Sequence, residues 1–401
     1  MTGVAESVRH CPDMLDLIGK YISKLEADCS VVPGKAAFAA RDDEPVSAGD
    51  PDLSELALSI LSGSGSLAVV AAEPSLPWAD FLVRRSADQE DLIIPRDTET
   101  RTFLHDIPFL RKGDQSNPSA ADIKRLLAKR KGVVAEGVGI IAAGAVTVEQ
   151  AYINYSSIFH AVFVKYLSDL LREGFRLPGE EESFGEIRAK RFKPVSCNGL
   201  AFRRGPLEER EDILAEIAAV GRYTVERRLV DSFFGNISLC SGNTIYISQT
   251  AASLDELAGC IDPVPMDNSS TAGLTASSEL PAHREIYLRS GAGVILHGHP
   301  KFAVVMSMLC DEESCPITDC WRDCPKVRFL GDTPVVAGEI GAGGLARRVP
   351  PVIAGPGKAL VYGHGVFTIG RVDFEEAFRS MVEVENRCRE EYLKLLDKKI
   401  V

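Results

Sequence analysis

The chain has 401 residues, 45% of them hydrophobic, which is enough for full cores and for about two to three domains of ordinary size. Its formal net charge of −12 at pH 7 argues against a nucleic-acid partner held by phosphate contacts. Residues Met1–Ser7 show no secretion signal, and no stretch reaches the roughly 18 uninterrupted apolar residues of a membrane span. We therefore expect a cytoplasmic protein with no membrane partner.

Hydrophobic periodicity and capping residues predict an alternation of helices and strands along the chain. A long amphipathic helix over 147–171 begins at Thr147 as its cap, with Glu149 in the first turn. The polar stretch after it contains Pro178-Gly179 and three consecutive glutamates, which is typical of a linker. The other predicted elements are helices over 13–25, 207–229, 253–257, 279–289 and 373–396, strands over 67–72 and 133–135, and a strand that ends at His299.

The chain also aligns with itself, without a gap, when it is shifted by 226 positions so that Gly65 lies on Gly291. The same shift superposes further glycines, prolines and charged residues, namely Pro74 on Pro300, Arg96-Asp97 on Arg322-Asp323, Asp106 on Asp332, Pro108 on Pro334, and Gly137, Gly139 and Gly144 on Gly363, Gly365 and Gly370. Chance similarity usually loses register quickly, so the pattern predicts two copies of one fold. We place them at 1–178 and 195–401, with 179–194 as the linker.

Two histidines follow an apolar run in Val294-Ile295-Leu296-His297-Gly298-His299-Pro300. Residues i and i+2 of a strand face the same side, so both imidazoles leave the sheet together. A third histidine, His364, lies in another strand-like run downstream. Three histidines with one open coordination position are typical of a catalytic metal site, and this is the site that we predict.

The first copy differs at these positions. Opposite the three histidines of the second copy it has Ala71, Glu73 and Val138. One carboxylate remains where about three ligands are needed, so we expect no such metal site in the first copy. Its predicted role is structural or in binding another molecule.

Before the histidine strand, Glu279 opens a helix that leads back towards it. A carboxylate beside a divalent metal is suited to general acid/base catalysis, with the metal stabilising an enediolate. The helix macrodipole alone also favours a glutamate at a helix start, so position leaves both interpretations open. Small polar residues and turns at Asn236, Thr250, Ala251, Ser277 and Ser278 are candidates for binding a phosphate, or are ordinary turns and caps.

Five segments occur in this order in the second copy: 234–238, 247–254, 277–281, 294–300 and 363–365. Together they resemble the class II aldolase/adducin family, which includes fuculose-phosphate aldolase and ribulose-phosphate 4-epimerase. The resemblance covers about 207–396 and implies an α/β fold in which a mostly antiparallel central sheet lies between two helical layers, a three-layer α/β/α domain. We expect this fold in both copies.

The resemblance also implies roles for individual residues. His297, His299 and His364 would bind Zn²⁺ or another divalent ion such as Mn²⁺ or Co²⁺, and Glu279 would be the acid/base. The substrate phosphate would lie on Asn236, Thr250, Ala251, Ser277 and Ser278. Ala251 stands where the family usually has a glycine, and its methyl group would narrow the phosphate loop.

The implied function is a metal-dependent lyase for retro-aldol cleavage or condensation of a small hydroxy-ketone or sugar phosphate. A decarboxylase, dehydratase or epimerase of the same family is the alternative within enzymes, and an adducin-like interaction protein is the alternative without catalysis. Family members are typically cyclic tetramers, so a tandem chain would form a homo-oligomer, either a dimer equivalent to a tetramer or a larger assembly.

Two further features remain outside this interpretation. The ten cysteines are expected to be thiols, and the spacing of Cys310, Cys315, Cys320 and Cys324 matches neither a zinc ribbon nor a common iron–sulfur pattern. His283 lies one helical turn after Glu279, and we interpret it as a packing or surface residue.

Overall fold

A computed structural model gives the structure over 13–87, 89–113, 116–231, 233–271, 274–310, 312, 314–338 and 342–400. The N-terminal residues in which the sequence shows no secretion signal lie outside these described residues. Within them, no helix has both the length and the apolar content needed to cross a membrane.

Helices and strands alternate along the chain. In the first half the elements are α1 (Met14–Ala27), β1 (Val31–Ala40), β2 (Val46–Gly49), α2 (Pro51–Leu61), β3 (Ala68–Pro74), α3 (Trp78–Arg85), β4 (Leu92–Ile93), α4 (Thr98–Leu104), β5 (Ile107–Leu110), α5 (Ala120–Leu127), β6 (Gly132–Ala135), β7 (Gly139–Gly144), α6 (Val148–Glu173) and α7 (Glu180–Arg191). In the second half they are α8 (Arg210–Glu226), β8 (Asn236–Ser241), β9 (Thr244–Ser248), a short 3-10 helix (Leu254–Glu256), β10 (Ile261–Pro265), α9 (Leu280–Ser290), β11 (Val294–Gly298), α10 (Lys301–Ser307), α11 (Cys320–Asp323), β12 (Arg328–Leu330), β13 (Thr333–Val336), α12 (Ala342–Arg348), α13 (Pro350–Ile353), β14 (Lys358–Val361), β15 (Gly365–Gly370) and α14 (Phe374–Ile400).

The first compact unit comprises Met1–Ile93 and Asp106–Phe159. Its sheet has the strand order β2-β1-β3-β7-β6-β5-β4, in which only the β5–β6 pair is parallel among the strands described. Buried side chains of α2, α5 and the central strands form one apolar cluster, which includes Ile60, Val69, Ile123 and Ile141.

The second compact unit comprises Ile94–His105 and His160–Val401. Its sheet has the order β10-β9-β8-β11-β15-β14-β13-β12, so the histidine strand β11 lies in the interior between β8 and β15. Ile295 of β11 packs in a buried cluster with residues of α9, α12 and α13. A side chain on Gly298, three residues on and therefore on the opposite face, would lie 3.1 Å from Met381 Sδ of α14. Helices thus cover this sheet on two faces.

Both sheets are mixed, which corrects the prediction in one respect: antiparallel pairs predominate, but each sheet also contains a parallel pair among the described strands. In the second unit, β13 and β14 pair in parallel with Val335 opposite Leu360. Helices α12 and α13 form the crossover connection between them, so that β14 runs in the same direction as β13. In the first unit α5 connects the parallel strands β5 and β6 in the same way.

The shift of 226 positions found in the sequence also relates strands of the two units. It carries the bounds of β5, β6 and β7 onto those of β13, β14 and β15. It also carries the pairing registers, so that Ala68↔Gly144 becomes Val294↔Gly370, Gly132↔Ala142 becomes Lys358↔Thr368, and Phe109↔Val134 becomes Val335↔Leu360. Four strands in each unit therefore pair in the same order and register.

The polar stretch 179–194, which we predicted as a linker, contains helix α7. Three glutamates occupy its first turn and three basic residues its last turn, which is the charge order that a helix dipole favours. The last division between the compact units along the chain falls within α6, at 159/160.

Candidate metal centre and active site

The two histidines predicted to leave the sheet together lie at the end of β11. His297 pairs with Asn236 of β8 on one side and with Phe367 of β15 on the other, and it is fully buried. His299 follows one residue beyond the strand and is also buried. The Nε2 atoms of the two imidazoles lie 2.9 Å apart, as expected for i and i+2 residues on one face.

His364 reaches the same place from the turn between β14 and β15. Its ring stacks on that of His297 with centroids 5.1 Å apart, and its centroid lies 4.8 Å from that of His299. One ligand nitrogen from each of the three lies within 4.8 Å of the others. Gly365 permits this approach, because a Cβ there would lie 2.4 Å from the carbonyl oxygen of Gly298 and 2.7 Å from the His299 ring.

The protonation of the imidazoles suits a divalent cation. His297 Nδ1 lies 3.0 Å from the carbonyl oxygen of Val366, which only accepts, so the proton lies on Nδ1 and Nε2 keeps its lone pair. Burial lowers the pKa of His297 to about 4, despite the nearby carboxylate of Glu279. Burial also holds the pKa of His299 well below its usual range, and its Nδ1 has no hydrogen-bond partner. The neutral imidazoles of His297 and His299 are donors of the kind that zinc and related ions bind, whereas contacts with Glu279 and Glu99 outweigh burial and raise the pKa of His364.

Glu279 lies at the N-cap of α9 and faces the histidines. Its Oε1 is 3.0 Å from His364 Nε2, and its Oε2 is 3.4 Å from His297 Nε2. Asn236 donates its Nδ2–H to Oε2 over 2.7 Å. Burial raises the pKa of Glu279, but the neighbouring His297 and His364 and the amide of Asn236 together lower it well below its usual range. Glu279 is therefore an ionised carboxylate beside the candidate metal ligands.

A chain of buried hydrogen bonds continues from this carboxylate between helix and sheet. Glu279 at the N-cap of α9 and His283 and Tyr287 within the helix are spaced four residues apart and therefore lie on one face of it. This face contacts Asn236 and Ser238, which lie on one face of β8. His283 Nε2 is 2.5 Å from Asn236 Oδ1, and its Nδ1 is 2.7 Å from Ser238 Oγ. Ser238 Oγ in turn lies 2.7 Å from the Tyr287 hydroxyl. Because the amide oxygen of Asn236 only accepts, His283 carries its proton on Nε2.

His283 is thus a buried member of this chain, and the interpretation as a packing or surface residue did not foresee its hydrogen bonds. Burial lowers its pKa to about 3, so the ring is neutral. Burial also raises the pKa of Tyr287 well above its usual value. The only signal in the sequence for these hydrogen bonds is the spacing of four residues between Glu279, His283 and Tyr287, and many core helices have the same spacing.

Aromatic rings and a buried ion pair lie beside His299. Phe234 stacks on the His299 ring at 5.3 Å between centroids, and His160 packs edge-on against Phe234 at 5.5 Å. Asp231 contacts His160 Nδ1 over 2.7 Å and Lys301 Nζ over 2.8 Å. Burial raises the pKa of Asp231, but Lys301 and His160 lower it well below its usual range, so this ion pair persists at neutral pH.

A second carboxylate approaches the site from an unexpected part of the chain. Glu99, in the first turn of α4, has its Oε2 3.4 Å from His364 Nδ1. Thr98 beside it donates its backbone N–H and its hydroxyl to the carbonyl oxygen of Gly363, over 2.6 and 3.0 Å. An acidic residue at a helix start is common, so the sequence offered no signal that Glu99 belongs to the site.

The residues predicted to hold a phosphate divide into two groups. Thr250, Ala251 and Ser278 are exposed, whereas Ser277 and Asn236 are buried. An isolated bridge between Gln249 and Ala276 joins the two turns that carry them, so the structure brings these turns together.

Several hydrogen-bond donors of these predicted phosphate-binding residues already donate to backbone carbonyl oxygens of the protein. Thr250 donates its N–H to the Thr275 carbonyl over 2.9 Å and its hydroxyl to that of Ala276 over 3.0 Å. Ser277 donates its N–H to the Ser248 carbonyl over 3.0 Å. Ala251 has a φ of 59°, in the left-handed region that glycine adopts more easily.

Comparison with known proteins gives one family match. The family model described as "Class II Aldolase and Adducin N-terminal domain" matches residues 215–392. No curated protein matches the chain.

Among solved structures, L-fuculose-1-phosphate aldolase from Thermus thermophilus is 22% identical, with 46% of this chain and 96% of that chain covered and a TM-score of 0.39. YgbL from Klebsiella pneumoniae is 23% identical, with 46% and 90% covered and a TM-score of 0.37. A sugar-phosphate aldolase from Thermotoga maritima is 18% identical, with 47% and 96% covered and a TM-score of 0.34.

Proposed function

The chain carries a class II aldolase/adducin domain over residues 215–392, and from this premise we propose that it is a divalent-metal-dependent aldehyde-lyase. The proposed substrate is a small hydroxy-ketone or sugar phosphate, cleaved or condensed in an aldol reaction. The observation that carries the proposal is the convergence of His297, His299 and His364 next to the ionised Glu279. Zn²⁺, or another divalent ion such as Mn²⁺ or Co²⁺, would be held by the three imidazoles.

When bound, a divalent cation would polarise a carbonyl or hydroxyl oxygen of the substrate. The proton transfers are left to Glu279. In the cleavage direction its carboxylate accepts the proton of the substrate hydroxyl on the carbon that becomes the aldehyde. The adjacent C–C bond then breaks to give an aldehyde and an enediolate, and Glu279 returns the proton to the enediolate carbon. Asn236, held by His283, keeps one carboxylate oxygen in a fixed orientation.

We further propose that Thr250, Ala251, Ser277 and Ser278 bind a phosphate of the substrate. The proximity of their two turns and the exposure of three of these residues support this role. The amide of Asn236 is engaged by Glu279 and His283, so we propose that it orients the acid/base rather than binding the phosphate.

We propose that the first unit has the same fold as the second unit but lacks its metal ligands. The equal order and register of four strands after the shift of 226 positions support this, as do Ala71, Glu73 and Val138 opposite the three histidines. A homodimer of such a chain would contain four copies, and this is the assembly that we propose.

The experiment measures bound metal and turnover in the 401-residue chain. We expect the wild type to take up about one Zn²⁺ per chain, whereas His299→Ala loses both the ion and the activity. Glu279→Gln should keep the ion and lower turnover by about 10²- to 10⁴-fold, because it removes only the proton acceptor. The exposed His105→Ala is the control.

Turnover is followed as aldehyde release from a panel of hydroxy-ketones and sugar phosphates. A wild-type protein that takes up no divalent ion would refute the proposal and favour a non-catalytic interaction protein. A variant Glu279→Gln with full activity would refute the role of that residue. Release of CO₂ or water, or inversion of a stereocentre, would identify a decarboxylase, dehydratase or epimerase instead.

A further inference from the structure

The segment Ile94–His105 belongs to the compact unit that holds the three histidines, although it lies in the first half of the sequence. We propose that Glu99 of this segment is a positioning residue for the metal ligand His364. Its carboxylate accepts the proton on His364 Nδ1 and thereby directs Nε2, with its lone pair, towards the other two histidines. This inference rests on the proposed metal site.

The contacts of His364 carry the proposal. Its Nε2 is 3.0 Å from the ionised Glu279 Oε1, to which it donates in the metal-free chain, and its Nδ1 is 3.4 Å from Glu99 Oε2. A bound cation would take the place of the proton on Nε2, because a metal ligand must be deprotonated. A histidine binds a metal through one nitrogen and needs an acceptor for the proton on the other. Glu99 is placed to be that acceptor, and its negative charge would also favour a bound cation.

The other two candidate ligands show why an acceptor matters. His297 has its Nδ1–H bound to the Val366 carbonyl at 3.0 Å, whereas His299 Nδ1 has no partner. Glu99 gives His364 the kind of support that the backbone gives His297. The site would therefore have two oriented imidazoles and one that is held only by packing.

Hydrogen bonds hold the backbone next to Glu99 and next to His364, so the contact between the two side chains is supported by the backbone. Thr98 donates twice to the Gly363 carbonyl, and the Gly363 N–H donates to Ser307 Oγ over 2.8 Å. Asp97, fully buried, caps the start of α4 by accepting the N–H of Thr100 over 2.7 Å. The turn before His364 and the helix start that carries Glu99 are thus joined by backbone hydrogen bonds.

The other half of the chain has no glutamate at the position equivalent to Glu99. The shift of 226 positions carries Asp97 onto Asp323, but it carries Glu99 onto Pro325. The two halves thus share an aspartate at this position in the sequence, whereas the carboxylate next to the third histidine occurs in the first half alone. The first half, which lacks the histidines, would thereby still contribute a residue to the metal site.

The test measures the affinity of the metal-free 401-residue chain for Zn²⁺ in competition with a chromophoric chelator. We expect Glu99→Ala to weaken Zn²⁺ binding by about 10- to 100-fold, with Glu99→Gln in between because its amide oxygen still accepts. The visible absorption of the Co²⁺-loaded chain should change in Glu99→Ala, since the orientation of one ligand is no longer fixed. The unfolding midpoint of the metal-free chain should stay near that of the wild type, because 35% of the Glu99 side chain is exposed.

Glu285→Ala is the matched control. The Glu285 side chain has the same 35% exposure in the same unit, but its partner is Arg289, at 3.1 Å. Wild-type Zn²⁺ affinity and an unchanged Co²⁺ spectrum in Glu99→Ala would overturn the inference and leave the metal site standing. An equal loss of affinity in Glu285→Ala would also overturn it, as a non-specific charge effect. Failure of the wild type itself to bind Zn²⁺ or Co²⁺ would overturn both the inference and the proposed function.

Discussion

Replacement of the buried His283 by glutamine should change how the stability of the protein depends on pH. His283 is fully buried, and its two nitrogens bind Asn236 and Ser238. Burial lowers its pKa to about 3 in the folded chain, against about 6.5 for an exposed histidine. The glutamine amide reaches about as far as Nε2 and can still donate to Asn236, but it does not titrate.

The sign follows from the protons bound. Between the two pKa values the unfolded chain binds a proton at His283 that the folded chain does not, so stability falls as the pH falls. From about pH 7 to about pH 4.5, two pKa units below 6.5, this residue should remove about 3 kcal/mol of unfolding free energy. His283→Gln should therefore lose less stability over this range than the wild type, by about that amount.

Urea unfolding of the metal-free protein at several pH values measures the difference. At neutral pH the variant should be less stable by about 1–3 kcal/mol, because Ser238 loses an acceptor in a buried site. The control is His105→Gln, which makes the same replacement at an exposed imidazole. If His283→Gln loses as much stability on acidification as the wild type, His283 is not held neutral by burial and the reasoning is wrong.

Two further predictions concern the phosphate turn and the assembly. Ala251→Gly should raise the unfolding free energy by up to about 1 kcal/mol, because a left-handed φ of 59° costs alanine about 1–2 kcal/mol and glycine loses about 0.5–1 kcal/mol of entropy. Ala252→Gly, one residue on, should lower it instead, and equal destabilisation by both substitutions would contradict the strain argument. Light scattering should give the mass of at least a dimer of the 43.4 kDa chain, and a strict monomer would exclude the proposed four-copy assembly.

Much of the candidate site could be predicted from short segments. The resemblance to the class II aldolase/adducin family rested on five of them and is confirmed by the family match over 215–392. The spacing of His297 and His299 at a strand end determines that their rings meet, because side chains alternate along a strand. His364 lies far away in sequence, but its place in a second strand-like run and the resemblance to the family marked it as a candidate.

The supporting residues were not predictable in this way. Thr98 and the turn that it holds are 265 residues apart in sequence, so no local pattern connects Glu99 with His364. The hydrogen-bond chain through His283 depends on how α9 packs on β8. The charged stretch interpreted as a linker forms α7, since its charges also suit a helix, and a polar composition alone does not distinguish the two.

By itself, the sequence determined the identity and spacing of the three histidines, the glutamate before them and the shift of 226 positions, because each depends on residues that are near in sequence or on a repeated pattern. The tertiary structure decided what surrounds the imidazoles. Which nitrogen carries a proton, which carboxylate faces it and how far a pKa moves depend on burial and on partners from distant elements. His299 and His364 are both histidines in the sequence, yet burial lowers the pKa of the first, while contacts with Glu279 and Glu99 outweigh burial and raise that of the second.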